Sequence, residues 1–171
     1  MWTKATVDET LKCYMDDKAR TAHLALEIDE LERRVNTSVK NLAADEASPK
    51  AQVITDMPHG TGTTNPTAEI AIKIASGWLP PEIREMKSEL EAQKMEYNRL
   101  ASNVRYVEAW MMSLTERENW VLQHQFMRQE FWRDVLEDYT RAFGGYATKE
   151  TLKRLRAVGL KKIYQTAGIR N

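Results

Sequence analysis

The 171-residue chain carries 25 lysine and arginine residues against 25 aspartate and glutamate residues, so its formal charge is zero with histidine neutral. At 42% apolar and 29% charged residues, with no run near the ~18 consecutive apolar residues of a spanning helix, it is neither a helical membrane protein nor a wholly disordered chain. The single cysteine, Cys13, excludes an internal disulfide framework and a cysteine-rich zinc module; with no signal-peptide core in MWTKATVDETLK, the expected location is the cytoplasm.

Residues 1–44 read as one amphipathic helix from about Val7, because Leu24, Ile28, Leu31, Val35 and Leu42 recur at helical intervals, with Ser38 as the polar step. Residues 45–66 gather prolines, glycines and polar residues and read as a linker loop. Residues 67–113 hold two further helices. Asn65 and Pro66 suit an N-cap and a first helical position, opening a short helix AEIAIKIAS that stops at Gly77. Beyond Pro80 and Pro81, Ile83, Met86, Leu90, Gln93, Tyr97, Leu100, Val104, Val107, Met111 and Leu114 alternate by three and four. A repeat of that period keeps one seam of a long helix turned toward a partner helix, as in a coiled coil. That partner is either the N-terminal helix or a second copy making a homo-oligomer through the 83–114 seam.

Residues 114–171 change character. Thr115-Glu116-Arg117-Glu118 supplies a capping box and a helix start, after which Trp120, Val121, His124 and Met127 share a face. Trp132, Val135, Leu136, Tyr139 and Phe143 form the next apolar set, stopped by Gly144-Gly145. Thr148 caps a third helix, running to about Gln165 and buried through Leu152, Leu155, Gly159 and Ile163. No segment shows convincing strand alternation. The expected class is all-α: long coiled-coil-like helices followed by a C-terminal trihelical helix-turn-helix.

The neutral total hides an asymmetry. Residues 141–171 carry eight basic residues against Glu150, a charge of +7 that the remaining chain balances at −7. A basic segment on an acidic body attracts polyanions locally. On the last helix, Glu150, Lys153, Arg154, Ala157 and Lys161 project opposite the apolar positions, while Lys149, Arg156 and Lys162 flank that stripe within reach of phosphates. Thr148 and the free N–H groups beside it offer a further anion contact. Base reading falls to Glu150, which accepts from cytosine, and to Lys153 and Arg154, which donate to guanine. The expected DNA-binding set is thus Thr148, Lys149, Glu150, Thr151, Lys153, Arg154, Arg156, Lys161 and Lys162.

Leu114 to Glu118, Trp132-Arg133-Asp134-Val135-Leu136, Thr148 to Leu155 and Leu160-Lys161-Lys162-Ile163 together resemble a sigma-factor region-4 helix-turn-helix. With the heptad-rich N-terminal half and the insert ITDMPHGTGTTNPTAEIAIK, the chain is similar to phage late transcription regulators of the ArpU and RinA type. The resemblance implies a double-stranded DNA-binding activator of late phage genes that contacts host RNA polymerase, with the last helix in the major groove. One departure is that Tyr139 to Thr148 is longer by about four residues than the usual turn of the fold. A DNA-packaging or recombination accessory protein and a coiled-coil adaptor without DNA affinity stay open as alternatives.

Other features carry little chemistry. His59-Gly60-Thr61-Gly62 lacks the Gly-Lys-Ser/Thr of a phosphate-binding loop. His23, His59 and His124 stand on separate segments without ligand spacing, and Cys13 has no activating base near it in sequence. No enzyme, metal site or cofactor is expected.

Overall fold

The computed structural model describes residues 2–47 and 78–169. Most of the expected linker, the short helix ending at Gly77, the His59 to Gly62 cluster, the 54–73 insert and Arg170 lie outside the described residues. Regular structure among the described residues is all helical, with no strand, which agrees with the all-α expectation.

Helix α1 spans Lys4–Ala47, beginning before the apolar pattern does. The reason is a hydroxyl pair that satisfies two backbone donors reciprocally: Thr3 N–H donates to Thr6 Oγ1 at 2.9 Å and Thr6 N–H donates to Thr3 Oγ1 at 3.2 Å. Helix α2 spans Pro81–Met111, its proline occupying the first position, where a missing N–H costs nothing. It stops short of Leu114, which lies in the following turn and packs partly buried against the core.

The described chain divides into two compact units, and the division falls within both long helices. One unit is Leu24–Met95. There Leu24, Leu31 and Val35 of α1 and Ile83 and Leu90 of α2 are buried, and Lys94 Nζ pairs with Glu32 at 2.9 Å. The other unit joins Met1–His23 to Glu96–Asn171. Its stretches of α1 and α2 run antiparallel. Tyr14 and Lys18 donate to Glu108 at 3.2 and 3.0 Å, Asn103 donates to Asp17 at 3.3 Å, and Arg20 pairs with Glu96 at 3.4 Å. In this chain the heptad seam therefore meets the N-terminal helix of the same molecule.

Three shorter helical segments complete the second unit. Helix α3 (Glu116–Val121) passes directly into a π-helix (Leu122–Met127); α4 (Trp132–Phe143) and α5 (Lys149–Thr166) follow. The expected capping box is present, with Thr115 N–H donating to Glu118 Oε2 at 2.9 Å and Glu118 N–H donating to Thr115 Oγ1 at 3.4 Å. The π-helix is a departure from the α-helical expectation, and packing accounts for it. Residues five apart stand about 140° apart on an α-helix, whereas the wider turn lets both Leu122 and Met127 be buried, at 0% and 4% exposure.

Two apolar clusters hold this unit together. The larger joins Val7 and Leu11 of α1 and Val107, Trp110 and Met111 of α2 to Leu122, Met127 and Ile163. The smaller is Val121, Val135, Tyr139 and Leu152. Helices α3 to α5 thus share one compact unit with the start of α1 and the end of α2. The smaller cluster is drawn from the C-terminal helices alone, whereas Leu122, Met127 and Ile163 are buried together with residues from the start of α1 and the end of α2.

Candidate nucleic-acid interface

Helix α5 is placed by its buried side. Leu152 enters the smaller cluster, Ile163 enters the larger, and both are fully buried. Between them Gly159 lies so close to the π-helix that a Cβ there would stand 2.8 Å from Leu122 Cδ1. A residue without a side chain is what lets the two helices approach at this crossing. The start of α5 is capped by Thr148, whose Oγ1 accepts from the Thr151 N–H at 3.2 Å and lies 3.0 Å from the Thr151 hydroxyl. Both threonines of the expected set thus spend their hydroxyls on the helix end.

The opposite side of α5 carries Lys149, Glu150, Lys153, Arg154, Ala157 and Lys161, all exposed. Among the described residues none of these four cations makes an ion pair. Arg128, Arg133 and Arg141 of the same unit, by contrast, pair with Glu130, Asp134 and Glu137 or Asp138. Thr148 to Thr166 therefore presents a ridge of uncompensated positive charge about three turns long.

Two members of the expected set have other duties. Lys162 donates to both carboxylate oxygens of Glu118, at 2.9 and 2.7 Å, and Glu118 is only 5% exposed. Burial pushes the Glu118 carboxyl up, but the Lys162 hydrogen bond together with the bonds from Thr115 outweighs it and holds the pKa below the usual carboxylate value. Arg156 donates to Gln125 Oε1 at 2.7 Å and lies with its guanidinium 5.6 Å from the centre of the Trp132 ring. Both side chains fasten α5 to its neighbours. A third tie was not anticipated: the Tyr164 hydroxyl donates to Asp8 Oδ1 at 2.6 Å, and burial and that carboxylate push the phenol up to about 12.

Nothing in the sequence marked Glu118, Gln125, Asp8 or Trp132 as partners of α5. Glu118 was visible only as a capping residue, and its second role depends on a helix that begins 31 residues later. The extra length between Tyr139 and Thr148 also finds its place. Helix α4 continues to Phe143, and Gly144 and Gly145, at φ 64° and 81°, turn the chain toward Thr148.

The remaining sequence candidates are chemically quiet. His124 is half-buried, its ring stacked on Trp120 at 3.9 Å and its Nδ1 2.8 Å from Glu130. Cys13 is exposed, and partial burial, then Asp17, Glu9 and Asp16, hold its thiol pKa up, the opposite of activation. No helix among the described residues is long and apolar enough to cross a membrane. Compared with protein-family models, with curated proteins and with solved structures, the chain matches none.

Proposed function

We propose that the chain is a sequence-specific DNA-binding transcriptional regulator that lays the outer face of α5 in a major groove. The observation that carries this reading is the row of unpaired cations, Lys149, Lys153, Arg154 and Lys161, on the solvent side of a helix whose other side is fixed by three polar ties and two apolar clusters. Rigid presentation of such a row suits a polyanion of regular spacing. Glu150 and Arg154, one turn apart on that row, have the chemistry to read a cytosine and a guanine. The sequence resemblance adds the narrower form of the proposal: an activator of late phage genes that contacts host RNA polymerase.

The test is a binding titration of the full chain with duplex DNA. With Lys149 and Lys161 on phosphates and Lys153 and Arg154 on base edges, log K falls against log salt with a slope of about −2. Changing Lys153 and Arg154 to Ala weakens specific binding by about 1 to 3 kcal/mol each, with helicity in circular dichroism unchanged. A slope near zero would sink the proposal and leave the coiled-coil adaptor. A footprint near the chain's own gene, rather than upstream of late promoters, would favour the packaging or recombination accessory.

A further inference from the structure

Helix α4 is held differently from the helices around it. Its side-chain bonds close within the helix: Arg133 to Asp134, Arg141 to Glu137 and Asp138, and Thr140 to the Leu136 carbonyl. Among the described residues no side-chain hydrogen bond or ion pair joins α4 to another element. Helix α5, in contrast, is bonded to the π-helix through Arg156, to α3 through Lys162 and to α1 through Tyr164. What attaches α4 is apolar packing of Val135 and Tyr139 in the smaller cluster, edged by Trp132, Leu136 and Phe143. Two cations also lie over its rings, Arg156 over Trp132 and Arg117 over Phe143.

Both ends of α4 bend through left-handed backbone. Before it, Gln129 stands at φ 55°, a conformation that a residue with a Cβ seldom adopts. After it come Gly144 and Gly145, and an added Cβ at either would meet nothing within 4 Å. Glu130 is fastened to the π-helix, its carboxylate 2.8 Å from His124 Nδ1 and its N–H donating to the His124 carbonyl at 3.1 Å, and Ala147 packs on the smaller cluster, but between these anchors and α4 Phe131 is 81% and Tyr146 95% exposed. Apolar packing is non-directional, so a helix held by it and by two cation–ring contacts can shift without breaking a hydrogen bond or ion pair to its neighbours.

We propose that α4 is a hinged arm, moving as a unit about Phe131 and Gly144 to Tyr146 while α3, the π-helix and α5 stay bonded to one another. Its purpose rests on the DNA-binding reading: the movement adjusts the angle between α4 and α5 as α5 seats in a groove. Opening bares Val121 and Leu152, so the arm spends most of its time closed.

Hydrogen exchange of the full chain, read by mass spectrometry on peptides, tests this. In the free protein the amides of α4 exchange about a hundredfold faster than those from Leu152 to Ile163 of α5, because a 12-residue helix swung off its apolar cluster no longer holds its own backbone hydrogen bonds in water. Val135→Ala widens the gap about tenfold more while α5 keeps its rate. A single common rate for α4 and α5, or equal acceleration of both by Val135→Ala, overturns the hinge. A short random-sequence duplex at low salt is then added; slowed exchange in α4 supports the coupling, and binding without any change in α4 overturns it. If that duplex does not bind, the DNA-binding reading and the coupling fall together, and the free-protein rates still decide whether α4 moves.

Discussion

Replacing Lys162 with Met removes the cation from Glu118 while keeping the length and apolar stem of the side chain. The carboxylate it leaves behind is 5% exposed and retains only its bonds from Thr115, the N–H at 2.9 Å among them. Breaking a fully buried pair costs about 3 to 5 kcal/mol, and an exposed pair is worth about 0 to 1. The Lys162 side chain is 36% exposed, so water partly replaces it on one side, and an intermediate cost of about 2 kcal/mol follows. The penalty is pH-dependent. In the native protein the Glu118 pKa lies below its unfolded value, so the pair's contribution is complete above the ordinary carboxylate range and is lost as pH falls through the lowered folded value. Without Lys162, burial dominates and Glu118 takes up a proton more readily, so the variant and the native chain converge in stability as pH falls below the lowered native value. Urea unfolding followed by circular dichroism at neutral and acid pH measures both effects. Glu118→Gln and the double variant complete a cycle with a coupling of about 1 to 2 kcal/mol. A Lys162→Met protein within about 0.5 kcal/mol of native at neutral pH would refute the pairing, as would a penalty that acid does not reduce.

Three other outcomes are expected. Tyr164→Phe lowers stability by about 1 kcal/mol; because the native phenol is pushed up to about 12, its contribution is full below pH ~10 and lost as pH rises through the folded value, so an absorbance titration loses the step at about 12 in this variant. Gly159→Ala gains about 1 kcal/mol of helix propensity but loses about 1 to 3 to the contact with Leu122; thermal melts show net destabilisation in the native chain and a change of sign in a Leu122→Ala background, and additivity of the two substitutions would exclude the close approach. Among the described residues Gln93 Oε1 is buried without a hydrogen-bond partner, so Gln93→Leu raises the unfolding free energy by about 1 kcal/mol, whereas a loss of that size would show that the oxygen has a partner in solution.

Much of the local structure was legible in the residues themselves. Helical class, the starts at Thr115 and Thr148 and the stop at Gly144 follow from short-range chemistry: a hydroxyl or carboxylate satisfies N–H groups three residues away, and glycine tolerates positive φ. The apolar face of α5 was readable for the same reason, since period alone separates Leu152 and Ile163 from Lys153, Arg154 and Lys161. The reciprocal Thr3 and Thr6 cap was equally local, but the expected helix began at the first regular apolar positions and passed over it.

Tertiary structure decided everything that needs a second segment. A heptad seam specifies that a helix must be met, not which helix, because Leu and Val on any amphipathic surface satisfy it; the choice of α1 in antiparallel orientation rests on Glu108, Asp17 and Glu96 meeting cations and amides far away in the chain. The same is true of α5, where two lysines side by side have opposite roles. Lys161 faces water, and Lys162, turned about 100° further round the helix, meets Glu118. Periodicity assigns a residue to a face, but whether a carboxylate waits opposite that face depends on how helices separated by loops come to pack, and no local preference encodes it.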